Sequence, residues 1–358
     1  MKKKILISTG GSGGHVIPAI SFYDHFKENF DVLMTSDKRG SNFINDNKYE
    51  YKIIETPRIK LTLLNLPLTL IKIIISTFKS ILFLRNKNID ILLGTGGYMS
   101  VPICLAAKAL NIKIYLFEPN MVIGRANKFL LKFCKKIFCY SEKIKNFPKK
   151  YKNKIYVIDH LLRKEIYNIS NNKNVAMDNI FKLLIVGGSQ GAQFFNDNLK
   201  SSIINLSKKC TLKVYHQTSL LDQSGLEQFY NNNKIKHELF NFNEKLYDFV
   251  NESNLAITRA GASTLAELAF FKVPFITIPY KHATDNHQLE NAINYEKKGC
   301  CWLLQEEEFN QNKLTTLLLN IINKKENYLE KKKCLEKFSY KNNWNNINGK
   351  LIKSLNEN

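Results

Sequence analysis

The chain is built from short apolar runs that alternate with longer segments of mixed polarity. In the first half the runs are KILIST, DVLMTS, IDILLG, IKIYLF, KKIFCY and KIYVID, with helical patterns between them, the first from about Val16. A strand buried on both faces of a parallel sheet reads as a continuous apolar run rather than an alternating one. The pattern therefore predicts a parallel α/β sheet covered by helices on both faces.

The same pattern starts again in the second half of the chain. Residues 165–180 are polar and rich in asparagine, which is typical of a linker or a surface loop. After them come FKLLIV, LKVYHQ, IKHELF, LAIT and VPFITI, each a predicted strand. A chain of 358 residues exceeds what one core usually fills, so we predict two α/β domains of similar size. A basic helix over the last residues would fold back onto either domain.

Three glycine-rich turns follow predicted strands: STGGSGGH, GTGGYM and IVGGSQGA. In doubly wound sheets such turns let phosphates approach backbone N–H groups at helix N-termini. None of the three keeps the Gly-x-Gly-x-x-Gly spacing of a dinucleotide site, and no Walker A motif is present. Two interpretations stay open, namely phosphate-binding turns or tight strand–helix connections.

The segment TRAGASTLAELAFF, which begins at Thr258, has a similar form with a carboxylate added. Ser263 and Thr264 can cap the helix, whose N-terminus offers free N–H groups to a diphosphate. Glu267, one turn inside, can accept both hydroxyls of a ribose, or it can simply complete a Thr-x-x-Glu capping box. A dense polar group follows a few residues later: His282, Asp285, Asn286, His287 and Gln288.

His15 stands at the predicted start of the first helix. The helix dipole disfavours the imidazolium there, so a neutral ring is expected, which suits a general base; a helix-capping histidine is the simpler interpretation. The sequence contains no Asp-x-Asp pair of the kind that holds a metal against a nucleotide-sugar. Charge on a leaving group would then be met by helix N-termini and by basic side chains such as Arg163 or Arg259.

Residues 61–84, LTLLNLPLTLIKIIISTFKSILFL, are unusually apolar. Pro67, Lys72 and Lys79 argue against a membrane-spanning helix. As a helix the segment has a single polar stripe, formed by Asn65, Thr69, Lys72, Ser76 and Lys79. The rest of its circumference is apolar, more than one buried face requires. We expect either a core helix or a membrane-surface patch that includes Leu70, Ile74, Ile81 and Leu84 and is flanked by lysines and Arg85.

Charge, cysteine content and the N-terminal sequence indicate which partners and which compartment suit the protein. The formal net charge is +22, which suits nucleic acid, an anionic membrane or acidic substrates, although a bias toward Lys, Asn and Ile also fits drift in base composition. Seven cysteines without framework spacing predict neither disulfides nor a zinc site, so a reducing cytoplasm is expected. The N-terminus has too short an apolar run for a signal peptide.

Taken together, the motifs resemble the MurG family of bacterial peptidoglycan glycosyltransferases, in glycosyltransferase family 28. The resemblance spans nearly the whole chain and rests, in the family's order, on GGSGGHVIPAI, GTGGYMSVP, EPNMVIGRANKFL, GGSQGAQFFN, HQTS, TRAGASTLAE and DNHQLENA. It implies the GT-B fold, in which two Rossmann-like, doubly wound domains face each other across a cleft. The expected bounds are 1–162 plus 341–358 for the acceptor- and membrane-facing domain, and 163–340 for the donor-binding domain.

The resemblance also implies a reaction: inverting transfer of N-acetylglucosamine from UDP-GlcNAc to the C4 hydroxyl of lipid I, giving lipid II. His15 matches the family's candidate base, and Glu118 is a second catalytic candidate. The implied donor contacts are Ser12, Gly13, Gly14, Asn127, Arg163, Ser189, Asn243, Ala262, Ser263, Thr264, Leu265, Ala266, Glu267 and Gln288. DHLL stands before Arg163 where the family usually has GNPV, and Asn243 replaces an apolar residue.

The expected setting is the cytoplasmic face of the bacterial inner membrane, with peripheral attachment to its anionic surface and with other cell-wall or division proteins as further partners. We expect no cofactor, no obligatory metal and no nucleic acid. Three alternatives stay open: a GT-B transferase with another lipid acceptor such as diacylglycerol, a UDP-sugar epimerase, and a non-catalytic nucleotide- or RNA-binding protein.

Overall fold

A computed structural model describes residues 2–55, 66–169, 180–241 and 246–357. The chain divides into two compact units, Met1–Tyr167 with Trp344–Asn358, and Asn168–Asn343. Each unit is built around one parallel sheet, as the strand pattern predicts. The sequence-based bounds stand a few residues away, at 162/163 and 340/341, and Arg163 therefore lies in the first unit.

The first unit contains a seven-stranded parallel sheet. Its strands are β1 (Lys4–Ser8), β2 (Asp31–Ser36), β3 (Tyr51–Ile53), β4 (Ile91–Gly94), β5 (Lys113–Glu118), β6 (Lys136–Cys139) and β7 (Ile155–Val157). Their order is β3-β2-β1-β4-β5-β6-β7, so the winding reverses between β1 and β4. Ligands bind beside the carboxyl ends of strands at such a switch point, and the first two glycine turns follow β1 and β4.

Helices cover both faces of this sheet. They are α1 (Gly13–Phe26), α2 (Lys38–Ser41), α3 (Leu66–Lys87), α4 (Ser100–Ala109), α5 (Arg125–Leu130), α6 (Lys164–Tyr167) and, from the end of the chain, α15 (Trp344–Asn356). The C-terminal helix packs on the first unit through Ile347, Leu351 and Leu355, which are fully buried with Phe22 of α1. Of the two packing sites that the sequence left open for this helix, the structure uses the first unit.

The second unit repeats the design with six strands. They are β8 (Phe181–Val186), β9 (Leu212–Gln217), β10 (Lys236–Phe240), β11 (Leu255–Thr258), β12 (Phe275–Thr277) and β13 (Trp302–Leu303), in the order β10-β9-β8-β11-β12-β13. The helices are α7 (Gly188–Asn198), α8 (Lys200–Ser207), α9 (Gln223–Asn232), α10 (Leu246–Glu252), α11 (Ala262–Phe270), α12 (His287–Glu296), α13 (Gln311–Asn323) and α14 (Lys325–Lys341). Here the switch point lies between β8 and β11.

The prediction that the chain forms no disulfide is wrong. Cys300, which precedes β13, is bonded to Cys334 in α14, across a sequence separation of 34. The two cysteines are far apart in sequence, so their spacing carried no framework signal, and only the packing of α14 beside this sheet edge brings them together. The short edge strands β3 and β13 were also missed.

Candidate active site

The first glycine turn joins β1 to α1 at the carboxyl edge of the first sheet. Asp37, at the end of β2, braces it, because one carboxylate oxygen accepts hydrogen bonds from Gly11 N and Gly40 N, both at 2.8 Å. Gly10 has φ +151°, and a β-carbon there would lie 2.9 Å from the Asp37 carboxylate. The turn therefore approaches the end of β2 so closely that no side chain fits between them.

His15 lies in the first turn of α1, beside the second glycine turn. Its Nδ1 stands 2.9 Å from the carbonyl oxygen of Thr95. A carbonyl only accepts, so Nδ1 carries the proton and Nε2 is the basic nitrogen of the ring. Gly96 has φ +96°, and a β-carbon there would lie 3.2 Å from the imidazole. The glycine turn thus fixes both the position and the tautomer of His15, and the capping role gains no support, since Ser12 precedes the helix.

Glu118 ends β5 and is buried, with 3% of its surface exposed. One carboxylate oxygen accepts from the backbone and side-chain nitrogens of Asn120, at 3.2 and 3.0 Å. The other accepts from Gly124 N at 2.8 Å and from Asn127 Nδ2 at 3.0 Å. Four N–H donors saturate the carboxylate, which favours a positioning role for Glu118 over that of a general base.

Two asparagines donate to Glu118, and they differ in how exposed they are. Asn127 is 3% exposed, and its amide nitrogen is committed to Phe117 O and to Glu118. Asn120 is only half-buried and is held at the carboxyl end of β5 by the same carboxylate. Sequence reasoning did not single out Asn120, although the EPN tripeptide placed it directly after a strand.

In the second unit α11 starts after Gly261, and no side chain caps it. Ser263 and Thr264 lie inside the first turn together with Ala262, so their predicted capping role is wrong. The capping-box interpretation of Glu267 fails for the same reason, because a capping box needs Thr264 at the N-cap. Glu267 is 5% exposed on a helix whose Leu265 and Ala266 are also buried. A buried carboxylate this close to a helix N-terminus is a strong candidate for binding a ligand's hydroxyl groups.

Gln288 and Asn291 fasten α12 to the start of α11. The side-chain oxygen of Gln288 accepts from Ala260 N at 3.2 Å and from Tyr280 N at 3.0 Å. Asn291 donates to Ala260 O at 3.1 Å. The polar DNHQ segment is thus partly structural, with Asn286 in a left-handed conformation at the N-cap of α12. Of the other predicted donor contacts, Asn243 lies outside the described residues, and Ser189 falls in the first turn of α7.

Arg259 does not have the role that the sequence suggested. Its guanidinium is buried and donates to Ile278 O at 3.0 Å and to Glu306 at 2.5 Å. The aromatic rings of Phe194 and Tyr280 lie within 6 Å of it. Burial lowers the pKa of Arg259 from its usual value, and Glu306 counteracts this. Its charge is neutralised inside the unit, so Arg259 braces the end of β11 and is not disposed to meet a leaving group.

Comparison with known proteins places this geometry in a family. Residues 5–139 match the glycosyltransferase family 28 N-terminal domain, and residues 182–344 match its C-terminal domain. A protein of Pelagibacter ubique is 54% identical over 358 residues, covering all of both chains, and bears the name UDP-N-acetylglucosamine--N-acetylmuramyl-(pentapeptide) pyrophosphoryl-undecaprenol N-acetylglucosamine transferase. The chain belongs to glycosyltransferase family 28.

Further relatives agree with this membership. A Rickettsia felis protein of the same name is 33% identical over 332 residues, covering 90% of this chain and 91% of its own. Among solved structures, Acinetobacter baumannii MurG superposes with a TM-score of 0.76 at 23% identity, covering 99% of this chain and all of that one. A UDP-N-acetylglucosamine 2-epimerase gives 0.65 at 12% identity, covering 93% and 91%. The two parallel-sheet units confirm the predicted GT-B fold class.

The unusually apolar segment forms helix α3, which buries small polar side chains and exposes large apolar ones. Thr69, Ser76 and Ser80 are buried, whereas the exposed large side chains are Leu68, Leu70, Ile71, Ile74, Ile75, Phe78 and Leu82. The predicted polar stripe is therefore split, since Thr69 and Ser76 point inward while Lys72 and Lys79 are exposed. Large apolar side chains on the solvent side mark an interaction surface.

Two predicted members of the patch need correction. Leu84 is 1% exposed and belongs to the core with Phe83, and Ile81 is only partly buried against that core. Leu70 and Ile74 are 52% and 65% exposed, as a surface patch requires. Within the described residues, Pro67–Lys87 is long and apolar enough to cross a membrane, with a mean hydropathy of 1.7. Its inner face is packed against α4 as part of the folded unit.

The described residues contain no group of three or more His, Cys, Asp or Glu side chains placed to hold a metal ion. The groups at the carboxyl edges of the two sheets include backbone N–H groups, amide side chains, and the charged or titratable side chains of His15, Asp37, Arg39, Glu118 and Glu267.

Proposed function

We propose that this protein transfers N-acetylglucosamine from UDP-GlcNAc to lipid I, the undecaprenyl-pyrophosphoryl-MurNAc-pentapeptide, and so makes lipid II for peptidoglycan synthesis. The observation that carries the proposal is the 54% identity with the Pelagibacter ubique transferase over the full length of both chains. The His15 geometry supports it independently, because an imidazole held through Nδ1 by Thr95 O beside two glycine turns fits deprotonation of a hydroxyl next to a phosphorylated substrate.

The chemistry assigned to His15 is that of a general base. Its Nε2 takes the proton from the C4 hydroxyl of the acceptor sugar while that oxygen attacks the anomeric carbon of the donor. The bond from the anomeric carbon to the UDP oxygen breaks in the same step, which inverts the configuration. Nδ1 of the imidazolium stays bonded to Thr95 O, so the carbonyl dipole stabilises the charge that forms on the ring.

Donor binding is assigned chiefly to the second unit. Ala262, Ser263 and Thr264 form the first turn of α11, whose unpaired N–H groups and dipole suit the UDP diphosphate. Glu267 accepts the ribose hydroxyls, and Gln288 holds the α11 turn against α12. In the first unit Asn120 replaces Asn127 in our assignment as the amide that reaches the sugar, because Asn120 is half-buried whereas Asn127 is buried; the side-chain nitrogens of both donate to Glu118.

We further assign a peripheral membrane contact to α3. A lipid-linked acceptor must be reached at a bilayer surface, and the exposed Leu70, Ile71, Ile74, Ile75 and Phe78 side chains can enter the boundary between headgroups and acyl chains. Exposed lysines on the same helix, Lys72 and Lys79, attract anionic headgroups. The site of action proposed is the cytoplasmic face of the inner membrane.

The transfer assay tests the proposal. Labelled UDP-GlcNAc is incubated with a water-soluble lipid I analogue, with diacylglycerol, or with no acceptor, in the presence of EDTA. Labelled disaccharide product with the lipid I analogue alone is expected. Product with diacylglycerol would support a transferase with another lipid acceptor. Isomerised donor without an acceptor would support an epimerase. No turnover under any of these conditions would support a non-catalytic binding protein. Restoration of activity only by Mg²⁺ or Mn²⁺ would contradict the helix-dipole account of UDP departure.

Two variants separate the roles within the site. His15→Ala is expected to lower kcat by about 10²- to 10⁴-fold with little change in donor KM, because a general base acts in the transition state. Glu267→Gln is expected to raise donor KM by about tenfold or more, since hydrogen bonds to a charged group contribute roughly 1.5–3 kcal/mol. Full kcat with an unaltered pH profile in His15→Ala would remove His15 from the mechanism.

A further inference from the structure

Arg39 lies in α2, directly after β2, at the carboxyl edge of the first sheet. None of the family motifs in the sequence includes it, and the mechanism above does not use it. Its side chain is 46% exposed, whereas its neighbour Asp37 is 5% exposed. It is therefore a cation held at the edge of the sheet where the first glycine turn begins.

The guanidinium extends over that turn. A β-carbon on Gly11 would lie 3.7 Å from Arg39 Nη2, so the absence of a side chain at Gly11 leaves the group directly beside the backbone. The same nitrogen donates to the hydroxyl of Tyr98, which belongs to the second glycine turn. Arg39 thus connects the two glycine turns that follow β1 and β4, on either side of the switch point.

The contact with Asp37 does not by itself explain Arg39. Arg39 Nε and Nη2 both stand 3.4 Å from the outer Asp37 oxygen, which is longer than a good N–H···O bond. The other oxygen is occupied by Gly11 N and Gly40 N. A half-exposed ion pair of this length contributes little to stability. The five-donor fork of a guanidinium also exceeds what these contacts use, and it matches phosphate oxygens in a bidentate manner.

We propose that Arg39 is a specificity-determining residue that binds the diphosphate of the lipid-linked acceptor. The donor diphosphate already has the N-terminus of α11 in the second unit, whereas the acceptor diphosphate has no cation assigned to it in the first. Asp37 would repel an anion over the Gly11 turn if Arg39 did not stand between them. Arg39 therefore selects acceptors in which the sugar is attached through a phosphate anion. This inference rests on the proposed function.

The test compares steady-state constants of the full chain with UDP-GlcNAc and a short-chain lipid I analogue. Arg39→Gln is expected to raise the acceptor KM by about 10- to 100-fold, with kcat and donor KM changed less than about threefold. Arg39→Lys keeps the charge but loses the forked donor geometry. Its acceptor KM is expected to lie between those of the wild type and Arg39→Gln. Lys38→Gln removes the same charge from the adjacent exposed position and should change acceptor KM less than about twofold.

A binding experiment makes the inference independent of turnover. Farnesyl diphosphate, a diphosphate without sugar or nucleotide, is titrated calorimetrically into the wild type and each variant. The proposal is supported if Arg39→Gln binds farnesyl diphosphate more weakly by the same factor as its acceptor KM rises. It also requires that farnesyl diphosphate compete with the acceptor. An unchanged acceptor KM, or a raised donor KM with farnesyl diphosphate competing against UDP-GlcNAc, overturns it.

The two failures are distinguishable. If the wild type transfers no sugar yet binds farnesyl diphosphate in an Arg39-dependent manner, the proposed function fails and the diphosphate site stands. If the wild type transfers sugar and Arg39→Gln does so with the same constants, the inference alone fails. Thermal melting checks that each variant is folded, and an exposed side chain with weak contacts is expected to leave Tm within about 2 °C.

Discussion

Replacing Glu118 by glutamine separates a structural carboxylate from a catalytic one. The wild-type carboxylate accepts four hydrogen bonds, two from Asn120, one from Gly124 N and one from Asn127. The glutamine side chain is nearly the same size, but one of its oxygens becomes an NH₂ group. That group cannot accept, and it faces two N–H donors in a site that is 3% exposed.

The expected cost follows from that geometry. Two hydrogen bonds to a charged group are lost, each contributing about 1.5–3 kcal/mol, so Glu118→Gln should lower the free energy of unfolding by about 3–6 kcal/mol. In a unit of this size, that corresponds to a fall in Tm of roughly 6–24 °C. The loop that carries Asn120 and α5 should loosen, which raises donor KM. The acid limb of the pH–rate profile should persist, because His15 remains.

The assay pairs thermal melting with kcat/KM as a function of pH. Glu142→Gln is the matched control, since this carboxylate is exposed in the same unit and its loss should change Tm by no more than about 1 °C. The reasoning is refuted if Glu118→Gln melts like the wild type while kcat collapses and the acid limb disappears. Glu118 would then be the base, and the saturated carboxylate would have to exchange its partners during turnover.

Three further outcomes test other parts of the structure. Ile74→Glu combined with Phe78→Glu should move the protein from anionic vesicles to the supernatant while turnover on a short-chain acceptor stays intact; unfolding of the double variant would show that these residues are core. Burial lowers the pKa of His25 and of His216 to about 3 from an ordinary 6.5, so only the unfolded state gains their protons between pH 6.5 and 3. Unfolding should therefore become easier by about 1.4 kcal/mol per histidine at pH 5.5 than at pH 7.5, and a flat Tm across this range would contradict the burial argument. Reduction of the Cys300–Cys334 bond by dithiothreitol should lower the free energy of unfolding of the second unit by about 3–4 kcal/mol. Cys334→Ser should melt like the reduced wild type, with or without reductant. Equal Tm for the oxidised and reduced wild type would count against the cross-link.

Local signals were sufficient for the fold class. Strands buried on both faces leave continuous apolar runs, and DVLMTS coincides with β2 (Asp31–Ser36), as FKLLIV does with β8 (Phe181–Val186). Glycine turns after β1, β4 and β8 marked the carboxyl edges of the sheets in advance. These features are local because strand burial, turn conformation and helix start each depend on a few consecutive residues.

Side-chain roles within the site depended on contacts that local patterns do not contain. Glu118 is a candidate base by sequence, but Gly124 and Asn127 donate to its lone pairs. Arg259 is a candidate cation for the leaving group by sequence, but Glu306, far along the chain, is bonded to it. Glu306 is remote from Arg259 in sequence, whereas the partners of Glu118 lie within nine residues of it. In both cases the contacts form only when the loop or the elements fold, so the residue pattern does not show them.

Local patterns are enough to predict two parallel α/β domains, their glycine turns and the position of His15 at a helix start, because each of these depends on short-range sterics and on the periodicity of burial. Tertiary packing determines which face of α3 points outward, with Ser76 inside and Ile74 exposed. It also paired Cys300 with Cys334 and placed Arg39 across two glycine turns. These outcomes depend on which elements become neighbours when the sheets assemble, and no periodicity along the chain encodes that choice.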